Sequence, residues 1–316
     1  MDLRRSTPDE PGITRRRRGR GFSYHFPDGR KVRDLRILAR IRALAIPPAW
    51  REVWICRTAD GHLQAVGTDD AGRRQYRYHD VWRAEQDRLK FDRVVEMAGR
   101  LPDFRRRVDE HLAQRGLTRE RVLAAAARML DLGLFRVGGA EYDSFGLATL
   151  RTEHVTCTGD DVVCCYEAKG GKEQEIRITD PQVRKVVTAL LRADEDGGEL
   201  LRYRNGSGWS DVRSEDINDY LRDVLGGEVS AKDFRTWHAT VQAAVILARA
   251  PRARGRTGRR RAVREAMEEV ADLLGNTPAV ARASYVDPRV IDAYEHGRTV
   301  SAGRSVEHDV IRLLGG

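Results

Sequence analysis

Six residues spread along the chain have side chains that could act together on a phosphodiester. In chain order they are Arg136, Lys169, Lys232, Arg235, Asn276 and Tyr285. A phenol can attack phosphorus when cations and neutral donors stabilise the charge that develops on the non-bridging oxygens. Each residue alone has an ordinary structural role, but their order and local contexts together indicate a site built around Tyr285.

The pair Lys232 and Arg235 lies at the start of a helix predicted over residues 230–249, with Ser230 as its N-cap. Residues three positions apart share a helix face. Cations at the positive end of a helix dipole are unfavourable by about 0.3–1 kcal/mol each. An anion docked at this helix start would explain the pair, but taken by itself the pair favours a solvated first turn.

Arg136 and Lys169 lie at the ends of other predicted elements. A helix is predicted from its N-cap Thr118 to just before Gly138, which puts Arg136 at its C-terminal end, a comfortable place for a cation. Three antiparallel strands are predicted over residues 150–157, 161–168 and 173–179. Lys169 stands where the last of these hairpins turns.

Tyr285 lies in the stretch LLGNTPAVARASYVD, residues 273–287. Gly275 suits the end of one helix, and the Thr-Pro pair that follows suits the start of the next. The next helix carries Tyr285, and Asn276 lies in the break, nine residues before it. The stretch therefore predicts that Asn276 and Tyr285 belong to one site.

The composition indicates a basic protein that binds nucleic acid or another anionic surface. The chain has 316 residues, with 57 Lys plus Arg against 48 Asp plus Glu and a net charge of +9. Arginine outnumbers lysine, and its planar fork suits bidentate phosphate recognition. A basic composition shared with an arginine-rich proteome is the alternative explanation.

Several classes of function are not indicated by the sequence. No run of about 18 apolar residues predicts a membrane span, and the N-terminus lacks the apolar segment of a secretory signal. The four cysteines show no zinc spacing, and no P-loop or metal motif is found. We expect a cytoplasmic, nucleoid-associated protein with reduced thiols that needs no metal, nucleotide or other cofactor.

The patterns predict two domains of the α+β class. Residues 1–88 are expected to form a small β-rich domain, and residues 89–316 a mainly α domain that contains the three-stranded antiparallel sheet.

Residues 1–20 are expected to be a disordered basic arm, and residues 21–32 a hairpin that turns at Asp28. The other elements predicted in the first domain are a helix over 35–46 and strands over 52–57, 62–69 and 73–80. Further helices are predicted from about residue 81, with an interruption at Pro102, and over 181–193, 214–225, 260–274, 288–296 and 306–314.

Six segments carry a resemblance to a known family. They are IPPAW (46–50), GRRQYRYH (72–79), FRVGGAEYDSFGLATLRTEHV (135–155), YEAKGGK (166–172), KDFRTWHAT (232–240) and LLGNTPAVARASY (273–285). Over about residues 22–295 the chain resembles the type IB DNA topoisomerases of the poxvirus-like bacterial group. The resemblance implies a monomer that clamps double-stranded DNA and nicks one strand. Strand rotation would then relax positive and negative supercoils, and religation would need neither ATP nor metal.

The resemblance also implies a role for each residue of the site. Tyr285 is expected to attack the phosphodiester and form a 3′-phosphotyrosyl bond, which releases a 5′-hydroxyl. Arg136 and Arg235 are expected to hold the non-bridging oxygens, for which bidentate guanidinium groups are suited. Lys169 is expected to protonate the leaving 5′-oxygen, with Lys232 as an assistant.

Position 276 departs from the commoner pattern, because many relatives have His there. Asn276 can donate a hydrogen bond to a phosphate oxygen, but it cannot be cationic or transfer a proton. DNA contacts are implied for Gln75, Tyr76 and Tyr78 in the first domain and for Tyr142 in the second. For the three strand residues, ordinary packing on a half-buried sheet face is the alternative.

Two alternative functions remain open at this level. A tyrosine recombinase shares the Arg, Lys, Arg and Tyr of the site, but it usually has His where Lys232 stands and acts on paired sites as a tetramer. A non-catalytic DNA-binding protein that kept the fold is the second alternative. The spacing of Lys232 and Arg235, together with the motifs of the first domain, favours the topoisomerase.

Overall fold

The computed structural model describes residues 3–139, 144–168, 170–193, 197–206, 208–250, 255–301, 303 and 305–315. The chain divides into two compact units, Met1–Lys90 and Phe91–Gly316. The first unit is β-rich, and the second is mainly helical with small antiparallel sheets, which confirms the predicted α+β class. Among the described residues, none of the helices combines the length and the apolar character of a membrane span.

The first unit is built on a five-stranded antiparallel sheet with the strand order β2-β1-β3-β4-β5. Its strands are β1 Ile13–Arg18, β2 Gly21–His25, β3 Arg51–Ile55, β4 Leu63–Thr68 and β5 Arg74–Tyr78, and its helix is α1 Leu35–Ala43. Asp34 caps α1 by accepting hydrogen bonds from two backbone N–H groups of the first turn. The buried Ile41 of this helix belongs to the same apolar core as Ile13 and Ile55 of the sheet.

The prediction of a disordered arm over residues 1–20 is wrong for the part that forms β1. Ile13 is fully buried and lies opposite Ile55 on the neighbouring strand. The Arg15 guanidinium donates to the carbonyl oxygens of Ile46 at 3.3 Å and Trp50 at 2.5 Å, and it stacks over the Phe22 ring. These long-range contacts order the arginine run in a hairpin of β1 and β2 that the sequence did not predict. The predicted turn at Asp28 is present as well, because His25 pairs with Lys31 in an antiparallel bridge across it.

The second unit contains most of the helices. They are α2 Asp80–Leu112, which begins in the first unit, α3 Arg119–Leu132, α4 Pro181–Arg192, α5 Ser214–Leu225, α6 Ala231–Arg249, α7 Gly255–Leu274, α8 Pro278–Ser284, α9 Pro288–Glu295 and α10 Val306–Gly315. The predicted interruption at Pro102 does not occur, because this residue lies inside the continuous helix α2. Most of the predicted helices are thus confirmed, with bounds shifted by a few residues.

Two small sheets accompany these helices. The predicted three-stranded antiparallel meander is confirmed, with the strands β6 Val155–Thr158, β7 Asp161–Ala168 and β8 Lys172–Thr179 in the order β6-β7-β8. A hairpin that the sequence did not predict joins β9 Arg202–Asn205 and β10 Gly208–Asp211. Its four-residue strands are too short to give a strong alternating pattern.

The core of the second unit surrounds α3 and α6. The central residues of α3 are a run of buried alanines, which lets neighbouring helices approach closely. Trp237 and Phe234 of α6 are fully buried, and the Phe234 ring lies 5.4 Å from that of Phe104 on α2. Burying side chains of this size contributes roughly 1.5–3 kcal/mol each. The helix α6 is therefore held firmly along its length, which matters because it carries Lys232 and Arg235.

The helix that precedes Arg136 ends earlier than the sequence predicted. Its last residue is Leu132, and the C-cap Gly133 is already extended, with φ −125° and ψ 159°. A Cβ at Gly133 would lie 2.8 Å from the Phe135 ring, so a larger residue could not pack there. Arg136 consequently lies in a non-helical segment and not at the C-terminal end of a helix.

Candidate active site

The start of α6 places two of the predicted cations. Ser230 is the N-cap, as predicted, and the carboxylate of Asp233 accepts hydrogen bonds from the Ser230 backbone N and Oγ at 2.9 Å each. Lys232 is exposed in this first turn. Arg235, one turn along the helix, is only 4% exposed. The interpretation of both residues as solvated cations is therefore wrong for Arg235.

Arg235 is a buried cation held by neutral groups. Its Nη1 and Nη2 atoms donate hydrogen bonds to the carbonyl oxygens of Leu134 and Leu274. Its guanidinium carbon lies 5.4 Å from the centre of the Tyr285 ring. Burial lowers the pKa of Arg235 to about 10 and the nearby Arg136 cation adds to this, while the Tyr285 phenol opposes it. The side chain thus stays charged at neutral pH, and no carboxylate forms an ion pair with it among the described residues.

Tyr285 lies at the end of a short helix. Thr277 caps α8 by accepting a hydrogen bond from the backbone N of Val280, and Tyr285 is the C-cap residue. The tyrosine side chain is buried, with 8% of its surface exposed. The Oγ1 atom of Thr240 donates to the Tyr285 carbonyl oxygen at 3.2 Å. The tyrosine is therefore fixed by α6 as well as by its own helix.

Arg136 and Asn276 are joined directly. The Nη2 atom of Arg136 donates to the Oδ1 atom of Asn276 at 2.8 Å. The Nδ2 atom of Asn276 is buried and has no hydrogen-bond partner in the described residues. Gly275, with a φ of +59°, supplies the left-handed turn that ends α7 and directs Asn276 toward this contact. A buried amide without a partner is costly, so the free Nδ2 marks a place for an acceptor.

The backbone around Arg136 is shaped by two glycines in contact. A Cβ on Gly146 would lie 2.5 Å from the Cα of Gly138, so the two segments can approach only because both residues lack side chains. Leu147 then donates its backbone N–H to the carbonyl oxygen of Arg136 at 2.8 Å. This close approach fixes the non-helical segment that carries Arg136.

A cavity of about 410 Å³ brings the charged groups and the phenol together. It is lined by Arg136, Lys232, Arg235 and Tyr285, with Phe135 and Phe145 among the apolar wall residues. Asn276 joins this group through Arg136. Lys169 and Tyr142 lie outside the described residues. The described residues contain no group of three or more His, Cys, Asp or Glu that could hold a metal ion.

A second phenol near the cavity was not singled out from the sequence. Tyr166 on β7 is buried, and its ring stacks on that of Phe135 with centroids 6.4 Å apart. Burial raises the pKa of Tyr166 to about 12, and the Cys164 side chain adds to this, whereas Arg235 and Arg136 oppose it. The phenol is thus neutral at neutral pH. The signal that could have identified it is the period-two spacing in the sequence of β7, where Cys164, Tyr166 and Ala168 share one face of the strand and Glu167 lies on the other.

The predicted DNA contacts on β5 lie on two faces of the strand. The rings of Tyr76 and Tyr78 stack on each other with centroids 6.2 Å apart, and the residues are 48% and 44% exposed. Gln75 projects from the opposite face, where its Nε2 atom donates to the Asp69 carboxylate at 3.0 Å. The two tyrosines therefore form an exposed aromatic pair in the first unit, and Gln75 is engaged elsewhere.

Comparisons with known proteins agree with this geometry. The family described as "Eukaryotic DNA topoisomerase I, catalytic core" matches residues 79–299. The family described as "Bacterial DNA topoisomerase IB, N-terminal domain" matches residues 21–69. The chain is also similar to a DNA topoisomerase 1B of Acanthamoeba polyphaga mimivirus, with 27% identity over 303 residues that cover 90% of this chain and 88% of the relative. Because the catalytic-core match alone spans more than half of the sequence, the chain belongs to the type IB DNA topoisomerase family.

Proposed function

We propose that Tyr285 is the nucleophile with which this topoisomerase breaks and rejoins one strand of duplex DNA. The observation that carries the proposal is the burial of Arg235 beside this phenol without any carboxylate partner in the described residues. A buried cation that has only neutral partners among the described residues is costly to keep unless an anion binds beside it. A DNA phosphodiester supplies that anion at the position where the phenol oxygen can reach phosphorus.

The cleavage step exchanges one phosphodiester for another. The Tyr285 oxygen forms a bond to phosphorus, the bond from phosphorus to the 5′-oxygen breaks, and the phenol proton passes to water. The product is a 3′-phosphotyrosyl bond and a 5′-hydroxyl. Because the bond energy is kept in the phosphotyrosine, the 5′-hydroxyl can reverse the step after the duplex has rotated, and no ATP is consumed.

The charge that develops on the non-bridging oxygens is stabilised by three side chains. Arg136 and Arg235 are the cations, and donors of this kind typically contribute a factor of about 10²–10³ each to the rate. Asn276 adds a neutral hydrogen bond. Its Oδ1 atom is occupied by Arg136, so the unpartnered Nδ2 atom is the donor available to phosphate.

The leaving 5′-oxygen needs a proton, because an alkoxide is a poor leaving group. We assign this proton donation to Lys169, on its place in the motif YEAKGGK between β7 and β8. Lys232 is the assisting cation. Its exposed side chain lines the same cavity as Tyr285, so its ammonium group can approach a bound phosphate without any rearrangement of α6.

DNA is held outside the catalytic cavity by both parts of the chain. In this proposal residues 1–88 and 89–316 close around the duplex as a monomeric clamp, within the nucleoid. Tyr76 and Tyr78 contribute exposed aromatic faces to this grip, and Tyr142 contacts DNA near the cleaved phosphate. Gln75 ranks below the tyrosines, because its amide must first leave Asp69. Contacts to several phosphates make binding steeply dependent on salt.

One experiment tests the nucleophile, and another tests the reaction. Wild-type protein incubated with duplex DNA is expected to form a covalent adduct that survives denaturation, and Tyr285→Phe is expected to form none. Relaxation of a plasmid without paired recombination sites, in the absence of ATP and magnesium, separates the topoisomerase from a tyrosine recombinase. Relaxation that persists in Tyr285→Phe would disprove the proposed role.

A further inference from the structure

Two buried carboxylates lie beside the residues to which we assign catalysis. Asp233 comes two positions before Arg235, and Asp287 comes two positions after Tyr285. Asp233 is 3% exposed and Asp287 is 1% exposed. A carboxylate this deeply buried needs charged or hydrogen-bonded partners. The identity of those partners determines what holds the backbone of the site.

Asp233 ties the first turn of α6 to the helix α2. Its Oδ2 atom accepts the two hydrogen bonds from Ser230 that close the N-terminal cap. Its Oδ1 atom accepts a hydrogen bond from Nη2 of Arg93 on α2 at 3.1 Å. Arg93 therefore neutralises the capping carboxylate on which the position of the first turn, and hence of Arg235, depends.

Asp287 ties the segment after Tyr285 to the same helix through a second arginine. The carboxylate caps α9 and accepts a hydrogen bond from Nη2 of Arg289 at 2.7 Å. The Nη1 atom of Arg289 donates to Oδ1 of Asp92 on α2 at 2.9 Å. The backbone N of Asp287 donates to Oγ1 of Thr240, the hydroxyl that also donates to the Tyr285 carbonyl.

Asp92 and Arg93 are consecutive on α2, so their side chains project about 100° apart around the helix. This divergence lets the two neighbours reach two different segments of the site. We propose that Asp92 and Arg93 are positioning residues that hold the Tyr285 segment and the Arg235 helix start at the separation that cleavage requires. The proposal rests on the roles assigned above to Tyr285 and Arg235.

For Asp92 the proposed contribution is to rate more than to folding. The side chains of Asp92 and Arg289 are 41% and 40% exposed, and half-exposed ion pairs stabilise proteins weakly. The partner of Arg93 is the buried Asp233 carboxylate, so loss of Arg93 also lowers the stability of the fold. A small displacement of a catalytic group, by contrast, can lower a rate by up to about 10²-fold. Loss of the Asp92 contact should therefore slow the chemical step with little change in Tm, whereas loss of the Arg93 contact should slow the step and also lower the Tm.

The test compares two pairs of residues on the same helix. Full-length Arg93→Ala and Asp92→Asn are measured beside Arg106→Ala and Asp103→Asn, whose ion pair at 2.8 Å is 65% and 74% exposed and contacts neither site segment. Single-turnover cleavage is measured at saturating duplex, together with the Kd for that duplex and the Tm. We expect cleavage about tenfold slower in the first pair only, with partial rescue by Arg93→Lys. The Kd shifts and the Tm of Asp92→Asn should match the controls, while the Tm of Arg93→Ala should be lower.

Two outcomes would overturn the inference. The first is cleavage by Arg93→Ala and Asp92→Asn at the rates of the control variants. The second is a loss of rate that disappears once the changes in Kd and Tm are taken into account. Tyr285→Phe is measured in parallel: if it still forms the covalent adduct, the proposed function itself fails. If it forms none while the α2 variants cleave like the controls, only the positioning role fails.

Discussion

Arg136 donates a hydrogen bond to Asn276 over 2.8 Å, which joins two candidate phosphate ligands that are 140 positions apart in the sequence. The contact fixes the orientation of the amide, because its oxygen is taken by the guanidinium. The nitrogen is buried and has no hydrogen-bond partner among the described residues, so it remains available as a donor. A neutral residue at this position can therefore act as a donor of fixed direction although it carries no charge.

Replacing Asn276 should cost less than replacing Arg235. Asn276→Ala removes one neutral hydrogen bond, for which we expect cleavage about tenfold slower. Arg235→Ala removes a buried cation from the developing charge, for which we expect a loss of about 10²–10³-fold. Single-turnover cleavage of one duplex by both variants checks the ranking, and equal losses would contradict it.

A histidine at position 276 should introduce a new pH dependence. Asn276→His adds a group whose ordinary pKa is about 6.5. The protonated ring is a charge-assisted donor to phosphate, so the variant should cleave faster below this pKa than above it. The ratio of variant to wild-type cleavage rates between about pH 5.5 and pH 8 is the measurement. A ratio that does not change with pH would show that the ring does not face the phosphate.

A better leaving group should compensate for the loss of Lys169 but not for the loss of Arg235. Lys169→Ala is expected to slow cleavage of ordinary DNA by about 10²–10⁴-fold. When sulfur replaces the bridging 5′-oxygen of the substrate, the leaving group is a thiolate, which needs no proton. Lys169→Ala should therefore recover most of its rate on this substrate. Arg235→Ala should remain slow on both substrates. Recovery by both variants, or by neither, would remove the assignment of Lys169 as the acid.

The exposed tyrosine pair should contribute more to DNA affinity than Gln75. Tyr76→Ala and Tyr78→Ala each remove an exposed aromatic face, for which we expect a loss of about 1–3 kcal/mol if the ring stacks on a base. Gln75→Ala removes a group that is already bonded to Asp69, so its Kd should change less. Titrations at one fixed salt concentration give the comparison, with the Tm of each variant as the control for folding.

Because Gly146 contacts Gly138, an alanine at position 146 should destabilise the protein, whereas an alanine at the open position Gly99 should not. Gly146→Ala places a Cβ 2.5 Å from the Cα of Gly138, so we expect a lower Tm and slower cleavage through displaced Arg136. Gly99→Ala is the matched control, because nothing lies within 4 Å of its added Cβ inside α2. The control should gain up to about 1 kcal/mol of stability from helix propensity. Equal effects of the two substitutions would contradict the steric explanation.

Local signals in the sequence were sufficient for elements that depend on local rules. The cap at Ser230 and the meander of β6, β7 and β8 follow from capping chemistry and turn residues, and both are confirmed. The end of α3 was predicted too late, because the helical pattern continues past Gly133 although the backbone is already extended at this residue. The roles of the catalytic residues came from a resemblance and remain predictions.

The contacts that assemble the site could not be read from the sequence. Arg93 and Asp233 are 140 positions apart, and Asp92 and Arg289 are 197 positions apart. No local sequence pattern distinguishes these four residues from the many other acidic and basic residues of the chain. The burial of Arg235 was likewise hidden, because a helix start rich in cations has the same pattern whether it faces solvent or the interior.

The position of β1 in its sheet shows that the folded domain includes residues that precede the segment matched by the family. Similarity to the bacterial N-terminal domain begins at residue 21, yet the strand Ile13–Arg18 lies between β2 and β3 and is the partner of both. A protein that began at residue 21 would lack β1. The strands β2 and β3 would then lose a paired neighbour, and the apolar core would lose Ile13. The arginines of β1 resemble a disordered leader in composition, but they belong to the central part of the sheet. Shortened versions of this enzyme should therefore retain them.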